Sequence, residues 1–252
     1  MHSELSLLLK EQQKWESRSA EIKAHLGGKG PRPEWMKEEE LKKGETAAVI
    51  LEFIQGVGGL DESTTEFYEG LDKLCKQYGA FFIADEVQAG YGRTGKFFAF
   101  QKYNVTPDII SIAKGMGNGF PIGGILLHPD IEASHGMLGT TFGGNHLACA
   151  AGLAVLDVMQ EEELMRNVTE TSEKFIAALK DIPEVKNIKG RGLMLGLEFD
   201  FPIKDLRSKL LFEHHIFTGS ASNPNLLRLL PPLCITFEQM EPFIYALKKV
   251  LQ

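Results

Sequence analysis

The sequence predicts an α/β chain with a mostly parallel sheet, followed by a smaller α+β unit. Three observations carry this. Short apolar runs, "TAAVILEFI", "AFFIAD", "DIISIA" and "IGGILL", are interleaved with a helical stretch, "STTEFYEGLDKLCKQYG". That rhythm of strand, helix and strand indicates parallel pairing. Two of the runs end in charge, at Asp85 and Lys114, and the carboxyl ends of strands are where such sheets bind ligands. A long apolar helix, "NHLACAAGLAVLDVMQ", then leads into a second alternation of helices and strands.

In chain order, residues 4–25 read as a polar helix with a weak apolar stripe through Leu5, Leu8, Leu9 and Ile22. "GGKGPRPE" breaks it, since glycine and proline clusters do not continue a helix. A short helix follows from Pro33 and stops at Gly44. Ser63 and Glu66 have capping-box spacing for the next helix, which Gly79 ends. Beyond residue 160 the pattern gives a helix over 163–180, strand "LMLGLEFD", a helix over 202–213 and strands "IFTG" and "LLRLL". A final helix spans 236–251, with Thr236 and Gln239 placed to cap it. The boundary between the two units falls near residue 155, giving segments 1–31, 32–155 and 156–252.

Composition excludes several classes. The chain has 252 residues, 43% hydrophobic and 24% charged, which is ordinary for a globular protein. A net charge of -7 without a basic cluster argues against a nucleic-acid binder that neutralises phosphates. Cys75, Cys149 and Cys234 are odd in number and widely spaced in apolar surroundings, so they read as buried thiols in a reducing compartment. No run resembles a signal peptide or reaches the ~20 apolar residues of a membrane span. The expected location is the cytoplasm, with no membrane partner.

The glycines of "KGMGNGFPIGG" fit neither nucleotide fingerprint. Phe120 stands where the dinucleotide motif needs glycine, and no Lys-Ser/Thr pair closes a P-loop. A tight turn between strands explains them equally well. Lys114 adds meaning, because it follows an apolar run and directly precedes the glycines. A desolvated lysine favours its neutral, nucleophilic amine, although an interior lysine is more often a snorkelling surface residue. Asp85 alone reads as a cap or turn former. Together the two make sense as one device: pyridoxal phosphate is an electron sink only while its ring nitrogen stays protonated, and a nearby aspartate holds that proton.

At these residues the chain resembles a family. "AVILEFIQGVGG", "FFIADEVQAGYGRTGKFFAFQKYNVTPDIISIAKGMGNGFPIGG", "GTTFGGNHLACAA", "KGRGLMLGLEFD" and "LLRLLPPL" together resemble the class III aminotransferases of fold-type I, closest to the acetylornithine/succinylornithine enzymes. The resemblance implies pyridoxal 5'-phosphate as cofactor. Lys114 then matches the lysine that forms the internal aldimine and later moves a proton between substrate Cα and cofactor C4′. Asp85 matches the partner of the pyridine nitrogen. Val87 matches the residue packed on one ring face, and Gln88 the one near the phenolic oxygen. Thr141 matches the threonine that reaches the phosphate of a neighbouring subunit's cofactor, with Thr140 close to substrate. Arg228 matches the arginine that takes the substrate carboxylate, a task suited to its planar fork. Without the family, Arg228 reads as an exposed charge on an edge strand.

The implied activity is transfer of the δ-amino group of an N-acylornithine to 2-oxoglutarate in arginine biosynthesis, by a homodimer acting on small-molecule substrates. Rival readings are a non-catalytic remnant serving as a scaffold, and a class III enzyme for ornithine or 4-aminobutyrate. The family's N-terminal phosphate-binding loop and stacking aromatic find no match here, and residues 1–31 are expected not to match at all. Phe53 replaces a common proline. Val57 replaces a common glutamate able to hold the substrate-binding arginine, which is compatible with an altered acyl or amine preference. Arg93 reads as a loop-ordering residue and Arg191 as part of a turn. His146 reads as a helix opener, and Glu198 and Asp200 as strand residues without a catalytic pairing.

Overall fold

A computed structural model of the protein describes residues 41–132, 134–137 and 139–252. The expected helix over 4–25 lies outside the described residues. So does most of the one from Pro33, whose last turn ends as expected at Gly44, with φ +68°.

Two four-stranded sheets organise the described residues. The first has the order β1-β2-β3-β4, with β1 Ala48–Leu51, β2 Phe81–Asp85, β3 Ile109–Ile112 and β4 Gly124–Leu127. The first three pair in parallel, and β4 runs antiparallel to β3. Antiparallel pairing follows from the short glycine-rich return between them, too short for a crossover. Helix α1, Thr65–Tyr78, joins β1 to β2. Its N-cap is Thr64, one residue later than the Ser63 expected, and Thr64 accepts the Phe67 N–H. The Ser63 N–H instead donates to the Tyr68 hydroxyl at 2.9 Å, a tertiary bond that fixes the frame of the cap. The core beneath this sheet gathers Phe53, Tyr68, Phe82 and Tyr103.

The apolar helix is α2, His146–Glu161, capped by Asn145, whose side chain accepts the Ala148 N–H. It leads into α3, Leu164–Lys180. The second sheet, order β5-β6-β8-β7, is antiparallel throughout. It comprises β5 Asn187–Arg191, β6 Met194–Glu198, β7 Gly219–Ser220 and β8 Leu226–Leu229. The sequence reading misses β5 and overextends β7. Helices α4, Lys204–His214, and α5, Phe237–Leu251, complete this part. Leu195 and Leu197 of β6 and Leu227 and Leu229 of β8 meet Phe175, Leu210 and Phe243 from the helices. Thr236 and Gln239 form the expected capping box of α5.

Cys75 is buried as expected, but Cys149 and Cys234 are exposed. Cys149 has apolar neighbours in sequence yet lies off the narrow stripe of α2 that is buried at Ala148, Gly152 and Met159. Among the described residues no helix is long and apolar enough to cross a membrane, and no cluster of His, Cys, Asp and Glu could hold a metal ion.

Candidate active site

β2 and β3 are parallel neighbours in which Asp85 pairs with Ser111, so their carboxyl ends lie side by side. Ser111 Oγ and the Val87 N–H both donate to Asp85 Oδ1, each at 3.1 Å. These bonds fix the carboxylate at the strand tip, and among the described residues no hydrogen bond engages its second oxygen. Val87 is half-buried beside it.

Glu86, the next residue, faces an opposite environment. It is 1% exposed, and it accepts the backbone N–H groups of Ala99 and Phe100, each at 2.9 Å. Burial pushes its carboxyl up to about 7, with Asp85 adding to the rise and the two N–H donors opposing it. Alternation along a strand sends successive side chains to opposite faces. Glu86 therefore anchors the loop behind the sheet while Asp85 stays at the front.

Lys114 opens a short 3-10 turn, Lys114–Gly117, just past β3. Its φ is +48°, a region that non-glycine residues rarely occupy and that costs on the order of 1–3 kcal/mol. The Met116 N–H donates to the Ala113 carbonyl at 3.1 Å to hold the turn. Buried Tyr91 packs behind, so close that a methyl on Gly115 would lie 3.3 Å from its Cβ. Contrary to the expectation of partial desolvation, the Lys114 side chain is exposed. It projects beyond the apolar strand into the open strand-end region. Among the described residues it makes no hydrogen bond or ion pair.

Gln88 and Arg228 meet across the two sheets. Arg228 Nη1 donates to the Gly56 carbonyl at 2.7 Å and lies 3.5 Å from Gln88 Oε1. Gly56 leaves room for this contact, since a Cβ there would sit 2.0 Å from Gln88 Nε2 and push the Gln88 amide aside. β8 lies between β6 and β7, so Arg228 is interior to its sheet and not on an edge. Its Nε is buried without a partner, and among the described residues no carboxylate pairs with it. Val57 is 54% exposed, and its contribution is the backbone carbonyl, which accepts the Ser222 N–H at 2.9 Å.

Thr140 and Thr141 are exposed in the loop before α2. Thr140 Oγ1 accepts the Gly143 N–H at 3.2 Å, and neither threonine bonds to Asp85, Gln88, Lys114 or Arg228. Arg93 orders its loop as expected, donating to the carbonyls of Leu193 and Pro231. His146 opens α2. Glu198 pairs with Lys189 at 3.3 Å, and Asp200 with Lys186 at 3.7 Å, so both are structural.

Sequence reasoning missed Glu86 and a polar cluster built on Glu62. Glu62 Oε1 accepts Lys102 Nζ at 2.8 Å and is also bonded by the Tyr103 hydroxyl and by Arg191 Nη2. Glu86 was legible in principle, as the second carboxylate of an Asp-Glu pair in a strand whose faces alternate. Glu62 had no local signal.

The class-III aminotransferase family model, "Aminotransferase class-III", matches residues 22–251. This chain belongs to the class-III aminotransferases. The match reaches back to residue 22, into the segment expected not to match. The acetylornithine aminotransferase of Aquifex aeolicus is 44% identical over 209 residues, 82% of this chain and 54% of that protein. The acetylornithine aminotransferase of Bacillus subtilis is 39% identical over 83% of this chain and 55% of its own length. This class-III chain thus spans about half the length of the curated relatives it matches. Among solved structures, the ornithine aminotransferase of Plasmodium yoelii superposes with a TM-score of 0.77 at 36% identity, covering 85% of this chain and 59% of that one. The acetylornithine aminotransferase of Elizabethkingia anophelis gives 0.73 at 32%, covering 84% and 56%.

Class-III aminotransferases are pyridoxal-phosphate enzymes of fold-type I. The residues present fit that cofactor's ring end: a carboxylate oxygen without a protein partner at one strand tip, and an exposed amine beyond the next.

Proposed function

We propose that this chain carries the lysine side of a transaminase site, and that the activity it serves moves the δ-amino group of N-acetyl- or N-succinylornithine to 2-oxoglutarate, as in arginine biosynthesis. The observation that carries this is the placement of Asp85 at the carboxyl end of β2 and of Lys114 just past the carboxyl end of β3, its parallel neighbour. The names of the curated relatives support the substrate class. Ornithine is the second candidate, because solved neighbours are named ornithine aminotransferases.

Pyridoxal phosphate, when bound, would supply an electron sink for the substrate carbon that bears the transferred amino group. Asp85 would hold the proton on the pyridine nitrogen through its unbonded oxygen, kept in place by Ser111 and Val87. Val87 would pack on one ring face, and Gln88 would sit near the phenolic oxygen. The Lys114 amine, unpaired on a residue of strained backbone, would bind the cofactor aldehyde and carry a proton at the carbon bearing the transferred amino group. Arg228 would offer a fork to a carboxylate, its present acceptors being only the neutral Gly56 carbonyl and Gln88 Oε1. Thr140 would face substrate. Thr141 would take a role only in a homodimer, on the phosphate of the partner subunit's cofactor. We place the division between the two units within α2, near residue 155.

The test is titration of the purified chain with pyridoxal phosphate, read by its visible absorbance, then repeated with Lys114→Ala. The expected result is a yellow band that Lys114→Ala abolishes. A band unaffected by Lys114→Ala would overturn the assignment, and no band at all would leave the chain a scaffold. Amine screens with acetylornithine, succinylornithine and ornithine then rank the substrates.

A further inference from the structure

Lys189 on β5, Gly196 on β6 and Arg228 on β8 are directly registered neighbours, with Gly219 of β7 completing the row. Residues directly opposite one another share a face of the sheet, so Lys189 and Arg228 project on the same side. Arg191, two residues beyond Lys189, projects there too. That side meets the loop between β1 and α1. Lys189 Nζ pairs with Asp61 Oδ1 at 3.0 Å, and Arg191 with Glu62. The loop is closed on itself by the Gln55 N–H donating to the Asp61 carbonyl at 3.0 Å and the Leu60 N–H to the Gln55 carbonyl at 2.9 Å. Gly56, next to Gln55, supplies the carbonyl that receives Arg228. The contacts therefore form a ring: Arg228 to Gly56, through Gln55 to Asp61, across to Lys189, and back along the registered row to Arg228.

We infer that Asp61 and Glu62, gripped by Lys189 and Arg191, are positioning residues that latch the second sheet to the β1–α1 loop and set where the Arg228 fork stands over Gln88. The four side chains are only about a fifth exposed. Ion pairs in such settings resist screening better than surface pairs and couple their neighbours. None of the four side chains bonds to Asp85 or Lys114, so the latch acts first on carboxylate acceptance. Its catalytic meaning rests on the transaminase reading, but the latch itself does not.

The test reads amide exchange at Ser222, whose N–H spans the junction to Val57, and phenylglyoxal modification of Arg228 by peptide mass spectrometry. Asp61→Asn and Glu62→Gln are near-isosteric, and both rates are expected to rise about tenfold in each, the scale of a broken coupled pair. Asp61→Glu, which keeps the charge, should restore Ser222 exchange to within about twofold of the parent chain. Raising salt to 1 M, where the screening length falls to about 3 Å, should leave the two sites nearly unchanged in the unmodified chain, because largely buried pairs are screened weakly. If transamination is found, KM for the carboxylate substrate rises in Asp61→Asn while kcat holds. Unchanged rates at Ser222 and Arg228, or an equal rise at every amide, would overturn the latch. A loosened junction in a chain without transamination would retain the latch and remove only its catalytic meaning.

Discussion

The two sheets solve burial differently. In the second, β6 and β8 send Leu195, Leu197, Leu227 and Leu229 into one core roofed by Phe175 of α3, Leu210 of α4 and Phe243 of α5. Each apolar face there finds a helix. In the first, Phe53, Phe82 and Tyr68 make a tight aromatic core with α1, yet Ile50 of β1, Phe81 at the start of β2, and Ile125 and Leu126 of β4 remain exposed. Strand tips that bear Asp85 and Lys114 thus sit on the less enclosed sheet, and Arg228 on the more enclosed one. The difference is one of enclosure: helices cover the apolar face of the second sheet more fully than that of the first. The sharpest way to break the comparison is Phe175→Ala. A fully packed ring leaves a cavity, and such truncations cost about 3–5 kcal/mol. Urea unfolding should show that loss, and a cost below about 1 kcal/mol would mean the second core is no better filled than the first.

Glu86 gives the next effect, and it belongs to the first sheet. Its carboxyl stands near 7 in the folded chain against a usual value of 4.5. The native state therefore keeps a proton that the unfolded chain has released across that window. Stability contributed by this group is present in full below about pH 4.5, declines as pH rises toward 7, and is level above it. Two and a half pH units correspond to roughly 3 kcal/mol. Urea melts at pH 5 and pH 8 should show the parent chain losing more stability between the two than Glu86→Gln does. Equal slopes would show that Glu86 does not titrate in this window.

Much of this was legible in the sequence, and the failures share a cause. Apolar runs ending in charge located Asp85 and Lys114 at strand tips, because a strand that stops at a charged residue marks the edge of the buried layer. Thr236 and Gln239 were readable because a capping box is local. β5, "NIKGR", was missed because its inward partners on one side are acidic, so Lys189 and Arg191 replaced the apolar alternation that announces a strand. Glu62 and Arg191 are 129 residues apart in sequence, and no pattern along the chain joins them. Lys114 was expected to be desolvated by its apolar approach. The left-handed turn at that residue carries it past the end of the strand instead.

The smallest effect tests the same contrast from the open side. Helix α2 buries only the stripe through Ala148, Gly152 and Met159, leaving Leu147 at 72% and Leu153 at 62% exposed. Leu153 therefore contributes little to folding of the chain by itself. Leu153→Ser should change unfolding free energy by no more than about 0.5 kcal/mol, the range of surface substitutions. The comparison with Phe175→Ala in the same urea titration is direct, since both residues lie on helices and both changes remove apolar bulk. A loss at Leu153 approaching the Phe175 value would show that this face of α2 is covered in solution. The contrast between an enclosed second sheet and an open first one would then fail.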